Sequence, residues 1–322
     1  FTGDTLFIGD VGRPDLAQKV AADLTQEKLA GHLYDSLRKK IMPLADDLIV
    51  YPNHGAGSAC GKNMSKDTTD TLGNQKKTNY ALQEMTKEEF IDAVLDGLTP
   101  PPGYFPQNVM LNIEGYESLD DVLTRAGKAL SPEEFEAVAN ETGALLLDTR
   151  QAEDFKSGFI PNSINIGLKG SFAPWVGAMI PDIKQSILLI AEPGTEEEAL
   201  TRLSRVGYDY TIGYLKGGFE AWENSGKEVD SITRISPKTF ESDLAKSEIK
   251  VIDVRKASEF QAEHIEGASN IPLSEINEHL ASFPKDQEFA LHCAGGYRSM
   301  IAASILKQRG WDNFKEVAGG FN

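Results

Sequence analysis

One cysteine stands in a setting suited to nucleophilic chemistry. His292-Cys293-Ala294-Gly295-Gly296-Tyr297-Arg298-Ser299 follows the apolar run Phe289-Ala290-Leu291 and opens a stretch with helical character, residues 300–308. At such a strand-to-helix turn, Gly295 and Gly296 let the backbone curl, and Arg298 lies five residues past the thiol. The N–H groups of Ala294, Gly295, Gly296, Tyr297 and Ser299 can then converge on whatever the sulfur carries. A helix N-terminus and a guanidinium both favour negative charge, so these residues predict an anionic cysteine nucleophile. The competing reading is an inert buried thiol, which needs neither the glycine pair nor the arginine.

The elements around this loop repeat. Leu147-Asp148-Thr149-Arg150 matches Ile252-Asp253-Val254-Arg255, Phe155 matches Phe260, and Gly217-Gly218-Phe219 matches Gly319-Gly320-Phe321. The spacing is that of whole domains, not of a solenoid. Each copy begins with a helix start, Ser131-Pro132 or Ser236-Pro237, with Ser at the cap and Pro in the first turn. Short apolar strands are expected at residues 144–147, 187–190, 249–254 and 289–292. Helices are expected at 196–206 and 298–308, closed by Gly207 and Gly310. Strands alternating with helices predict an α/β fold with a parallel sheet, whose ligands sit at the carboxyl ends of the strands. The first copy contains no cysteine and reads Ala191-Glu192-Pro193-Gly194-Thr195-Glu196 at the loop position. Proline removes a donor and the acids reverse the charge, so that copy is expected to be catalytically silent, serving for packing or spacing, with a neutral-ligand module as the alternative.

Composition narrows the function. The chain has 322 residues, a formal net charge of −17 and 40% hydrophobic residues, enough for two or three cored domains. The acidic field and the lack of a basic patch argue against nucleic-acid binding. No apolar run approaches a membrane span. Cys60 and Cys293 are the only cysteines, which predicts no disulfide framework and a cytoplasmic, reducing setting. Both ends read as cut, as in a fragment of something longer.

The loop from Cys293 to Arg298 resembles the active-site loop of rhodaneses, the sulfurtransferase family, in which a cysteine opens a six-residue loop ending in arginine. Related cell-cycle phosphatases carry one residue more. The resemblance implies that Cys293 carries a persulfide, that Arg298 stabilises the anions, and that no cofactor serves this step. Asp253 and Arg255 recur in both copies, which favours a structural role in bracing the loop. His264 reads as structural. His292 faces away from the thiol if the strand persists, and Tyr297 shapes the pocket mouth.

The N-terminal segment differs. Strands are expected at residues 5–8 and 46–51, then a polar stretch at 61–77, an amphipathic helix at 87–98 and an extended proline-rich strap at 100–106. Phe1-Thr2-Gly3-Asp4-Thr5-Leu6-Phe7 with Gly12-Arg13-Pro14-Asp15 resembles the carboxyl half of metallo-β-lactamase-fold enzymes of the glyoxalase II and persulfide dioxygenase group. That resemblance makes Asp4 an Fe(II) ligand, and His54 a second-metal ligand or its neighbour. The family's other ligands lie in a His-x-His-x-Asp-His run and a further His, none of which occurs here. These residues are therefore expected to bind no iron tightly by themselves. Cys60 reads as a small loop residue or, alternatively, as a second thiol near the metal pocket, assisted by Lys62.

The whole chain is similar to persulfide dioxygenase–rhodanese fusions of bacterial sulfide oxidation. The expected organisation is a C-terminal part of a metallo-β-lactamase-like αββα domain (1–85), a linker or strap (86–128), a silent rhodanese-like domain (129–230) and an active one (234–322). The implied partners are small-molecule sulfur donors and thiol acceptors, such as thiosulfate and glutathione- or coenzyme A-type persulfides. Relatives of the metal domain often self-associate, so a homo-oligomer stays open. Two rival readings remain: a cysteine-dependent phosphatase or arsenate reductase, and a non-catalytic sulfur carrier or docking module.

Overall fold

The computed structural model describes residues 1–17, 24–56, 58, 60–62, 64–98, 104–246 and 249–321. They form two compact units, Phe1–Gly115 and Tyr116–Asn322.

In the first unit, the strand expected at residues 5–8 is a single bridge, Leu6 to Val11. Phe7 N–H bonds the Asp10 carbonyl at 3.0 Å, so the chain reverses before a strand can extend. The strand expected at 46–51 shortens to β1 (Ile49–Val50), paired antiparallel with β2 (Asp70–Thr71). The polar stretch contains a helix, Leu72–Thr78, whose first turn is capped by the Thr71 side chain. The amphipathic helix spans Lys87–Leu95, locked by a capping box between Thr86 and Glu89. It buries Phe90 and Val94 against Leu6, Leu37, Val50 and Leu82. Of the expected extended strap, residues 99–103 lie outside the described residues. Phe105 and Pro106 instead open a helix, Phe105–Glu114, where proline costs nothing because first-turn N–H groups have no helical partner. A further helix, Leu119–Ala126, follows in the second unit, so the stretch expected as a linker is largely helical.

The second unit holds two copies of one α/β module. The first contains β3 (Ala129–Leu130), β4 (Leu145–Asp148), β5 (Ile164–Asn165), β6 (Ile187–Ile190) and β7 (Thr211–Leu215), in sheet order β3-β7-β6-β4-β5. The second contains β8 (Arg234–Ile235), β9 (Lys250–Asp253), β10 (Ser269–Asn270), β11 (Phe289–His292) and β12 (Phe314–Val317), in order β10-β9-β11-β12-β8. These are the same order read from opposite edges, and every pairing is parallel. Central strands β6 and β11 are buried at every residue, as a sheet covered on both faces requires. The serine-capped helices start as expected, at Pro132 and Pro237.

The helix Tyr297–Gln308 is buried from Ser299 to Leu306. It is enclosed because the first module packs on its outer face. Ser304 Oγ accepts the Asn165 N–H at 2.9 Å, and Gln308 donates to the Asn162 carbonyl at 3.0 Å. Lys307 pairs with Asp230 at 3.0 Å. The thiol-free module therefore braces the helix that carries the cysteine loop.

Candidate active site

Buried strand β11 delivers Cys293 to the carboxyl edge of its sheet, with the thiol only 1% exposed. The chain turns at Gly296, whose φ of +93° suits glycine, and the helix starts at Tyr297. Gly296 N–H donates to Sγ at 3.2 Å, and the thiol donates to Ser299 Oγ at 3.4 Å. From behind, Phe321 N–H holds the Cys293 carbonyl at 2.8 Å. Gly320 sits so close that a Cβ would lie 2.3 Å from that carbonyl oxygen. Among the described residues the backbone N–H bonded to Sγ is that of Gly296. Ala294 and Tyr297 are half-buried and Gly295 is exposed along the same turn.

Arg298 lies beside the loop, but its hydrogen bonds go elsewhere. Its two terminal nitrogens grip Glu259, at 2.6 and 2.8 Å. That clamp lowers the Glu259 carboxyl to about 2 and, with the nearby Cys293 and Asp253, holds the guanidinium charged. A guanidinium paired in this way acts on the sulfur as one end of a dipole, weaker than the bare cation expected from the sequence.

Asp253 is fully buried and accepts two bonds from Arg255 Nε and one from its backbone N–H. Arg255 also donates to the Glu263 carbonyl at 2.8 Å and lies 3.9 Å over the Phe321 ring. Asp148 and Arg150 repeat this unit: Arg150 donates to the Gly158 carbonyl at 2.8 Å and lies 4.1 Å over Phe219. Asn270 and Asn165 tie the two arginine turns in the same way. A brace present with and without the thiol belongs to the fold. It ends under the Gly-Gly-Phe turn and so supports the loop from below.

His292 is fully buried; its Nδ1 lies 3.3 Å from the Cys293 carbonyl and its Nε2 3.8 Å from Asp253. Burial lowers its pKa, against the pull of Asp253, so it is neutral at physiological pH, and its ring nitrogens lie beside the Cys293 carbonyl and Asp253. His264 packs on Phe260 with ring centroids 4.0 Å apart.

Tyr297 and Ser299 were expected at the site, but their partners Gly167 and Glu316, with Arg234 behind them, were not. The Tyr297 hydroxyl donates to Gly167 O of the first module at 2.8 Å, with its ring against Gly170. Glu316, fully buried on β12, accepts Ser299 Oγ at 2.6 Å and pairs with Arg234 at 2.5 Å. One signal was available for Glu316: Phe314 and Glu316 share the inward face of a strand by period two, so the acid falls on a core position.

In the first unit Asp4 and His54 do meet, with Nε2 3.2 Å from Oδ1. One carboxylate and one imidazole are too few donors for a mononuclear iron shell. Among the described residues no group of three or more His, Cys, Asp or Glu could hold a metal. Cys60 is half-buried. Lys62, expected beside it, instead gives its ammonium to the carbonyls of Ala93 and Asp96, at 2.8 and 2.9 Å. No helix among the described residues is long and apolar enough to cross a membrane.

A pair of parallel-sheet modules, one with a cysteine loop at the carboxyl end of its central strand, defines a tandem α/β protein in which one module carries a thiol. The chain belongs to the rhodanese-like domain family: the family model matches residues 131–225 and 236–322, more than half of its length. It is 36% identical over 70 residues to the thiosulfate sulfurtransferase PspE of Escherichia coli, covering 21% of this chain and 67% of that one. It is 31% identical over 106 residues to the Bacillus subtilis protein YrkF, covering 33% of this chain and 55% of that one. Among solved structures, a metallo-β-lactamase from Staphylococcus aureus matches with a TM-score of 0.51 and 29% identity, over 67% of this chain and 57% of that one. The fold is thus α/β throughout: tandem rhodanese modules preceded by a metallo-β-lactamase-like part. The chain spans little more than half the length of YrkF and of the staphylococcal protein.

Proposed function

We propose that the chain is a sulfurtransferase that carries sulfane sulfur on Cys293. The observation that carries this reading is the seat of the thiol, at the carboxyl end of β11, with Gly296 N–H on its sulfur at 3.2 Å. The Cys293 thiolate attacks the outer sulfur of thiosulfate or of a low-molecular-weight persulfide. The S–S bond breaks and sulfite or a thiolate leaves. An acceptor thiolate such as glutathione or coenzyme A then attacks the outer sulfur of the Cys293 persulfide and restores the enzyme, giving ping-pong kinetics. Gly296 N–H and the helix N-terminus stabilise the charge on sulfur, while Arg298, half-buried beside the loop, guides the anionic donor.

The first module, with Ala191 where the second has Cys293, is silent and acts as a brace. Similarity to PspE, a thiosulfate sulfurtransferase, supports thiosulfate as donor. The metallo-β-lactamase-like part supports a place in persulfide oxidation, with Asp4, and His54 beside it, contributing to an iron site. Asp4 and His54 alone do not complete such a site. The six-residue loop favours a sulfane sulfur over the larger phosphoryl group of a phosphatase.

Intact mass before and after thiosulfate tests the proposal. A gain of one sulfur atom on Cys293, its loss on adding a thiol, and no gain in Cys293→Ser are expected. A stoichiometric persulfide that no thiol discharges would make the chain a carrier. Hydrolysis of an aryl phosphate without sulfur uptake would make it a phosphatase.

A further inference from the structure

Glu316 is a carboxylate with no solvent exposure, two hydrogen bonds from the reactive sulfur. Burying a carboxylate costs several kcal/mol, only partly repaid by a partner. The fold does not demand it, because the first module is an internal control. In the second sheet Glu316 lies opposite Arg234, one step before Val317 opposite Ile235. The corresponding step in the first sheet sets Tyr214 opposite Ala129, before Leu215 opposite Leu130. The acid and its arginine thus occur in the copy that has the thiol and are replaced in the copy that lacks it.

The Cys293 thiol donates to Ser299 Oγ, at 3.4 Å, and the Ser299 hydroxyl, which also reaches the Gly296 carbonyl at 3.2 Å, makes its shorter bond to Glu316 Oε1, at 2.6 Å. We propose that Glu316, acting through Ser299, accepts the proton that Cys293 must lose before it can attack. In this step the S–H bond breaks and its proton passes to Ser299 Oγ. The serine's own O–H breaks as its proton passes to Glu316. A thiol and a carboxylate become a thiolate and a carboxylic acid, with no change in total charge and no other reactant. Ser299, now donating toward the sulfur, supports the thiolate. Glu316 is a positioning residue in this scheme, since it never touches the donor.

The surroundings suit a carboxyl that changes charge. Arg234 binds Glu316 from β8 and also pairs with Glu153 of the first module. When Glu316 takes the proton, Arg234 keeps Glu153 as counter-ion, so the guanidinium is not left unpaired. Burial pushes the Glu316 carboxyl up from the ordinary carboxylate range, against the pull of Ser299 and Arg234 and with that of Glu153. On the sulfur side stand the Arg298–Glu259 pair, the Asp253–Arg255 pair and neutral His292. These flank the loop, whereas Ser299 bonds the thiol itself. The relay also gives the thiol-free module a part in the chemistry, through Glu153.

The inference rests on Cys293 being the nucleophile, so its test uses a readout that needs no sulfur donor. The rate of Cys293 alkylation by iodoacetamide, resolved by peptide mass, is measured against pH in the wild type, Glu316→Gln and Ser299→Ala. Both variants are expected to react about tenfold more slowly near pH 7 and to reach the wild-type rate at high pH, a shift of the profile by about one pH unit. Ser299→Ala keeps the Arg234–Glu316 pair, so it decides the matter even if Glu316→Gln does not fold. Profiles that superimpose on the wild type overturn the relay. Failure of the wild type to take up sulfur from thiosulfate overturns the sulfurtransferase reading alone, and the alkylation profiles still decide the relay.

Discussion

Arg298 and Glu259, 39 residues apart in sequence, close on each other through two hydrogen bonds of 2.6 and 2.8 Å. The cation beside the cysteine loop is therefore held in place by an acid from the neighbouring helix, Ala257–Ala262. The Glu259 carboxyl, lowered from 4.5 to about 2, contributes stability that is fully present above pH 4.5 and is lost as pH falls toward 2. Glu259→Gln should cost about 1 kcal/mol at neutral pH, since the carboxylate is partly solvent-screened. Its Tm should converge on the wild-type value as pH approaches 2. Thermal unfolding followed from pH 2 to 7 checks this.

His292 gives a pH dependence in a different window. Its folded pKa is lowered by burial from 6.5, so the unfolded chain takes up the proton first. The stability this confers is present above pH 6.5 and drains away as pH falls below it. The wild type should lose more stability than His292→Leu between pH 7 and 5. Parallel slopes in chemical denaturation at the two pH values would show that the imidazole does not titrate on unfolding.

Gly320 and Gly218 make a matched pair. A Cβ on Gly320 would stand 2.3 Å from the Cys293 carbonyl oxygen, and one on Gly218 2.7 Å from that of Ala191. Both have φ near +65°, at +68° and +64°, so alanine costs about 1–2 kcal/mol in backbone energy alone. Both substitutions should lower Tm by several degrees. Gly320→Ala should abolish sulfur uptake by displacing the loop, whereas Gly218→Ala should leave it within twofold of wild type. Denaturation and intact-mass assays read the two effects separately.

Ala191→Cys restores a thiol to the first module but not its surroundings. The loop there keeps Pro193 and the acidic run Glu196-Glu197-Glu198, and Tyr214 and Ala129 stand where the second module has Glu316 and Arg234. In a Cys293→Ser background this variant should take up sulfur from thiosulfate at less than a hundredth of the wild-type rate. Recovery of a substantial rate would mean that the sheet edge alone activates the cysteine.

The duplication, the parallel α/β modules and the Cys293 thiol on its glycine turn were legible from local pattern. Period, caps and turn residues act over a few positions, and Asp148 and Arg150 announced the repeat by matching Asp253 and Arg255. The N-terminal part was less legible, because Leu6 and Ile8 are apolar enough for a strand while a turn at Asp10 cuts it short. Three relationships came only with the assembled chain: Arg298 to Glu259, Tyr297 to Gly167, and Ser299 to Glu316. Each joins groups far apart in sequence, two of them side chain to side chain and the third a side chain to a backbone carbonyl. Which charge ends beside which is set by strand order and by the packing of one module on the other, and neither is written in the spacing of residues along the chain.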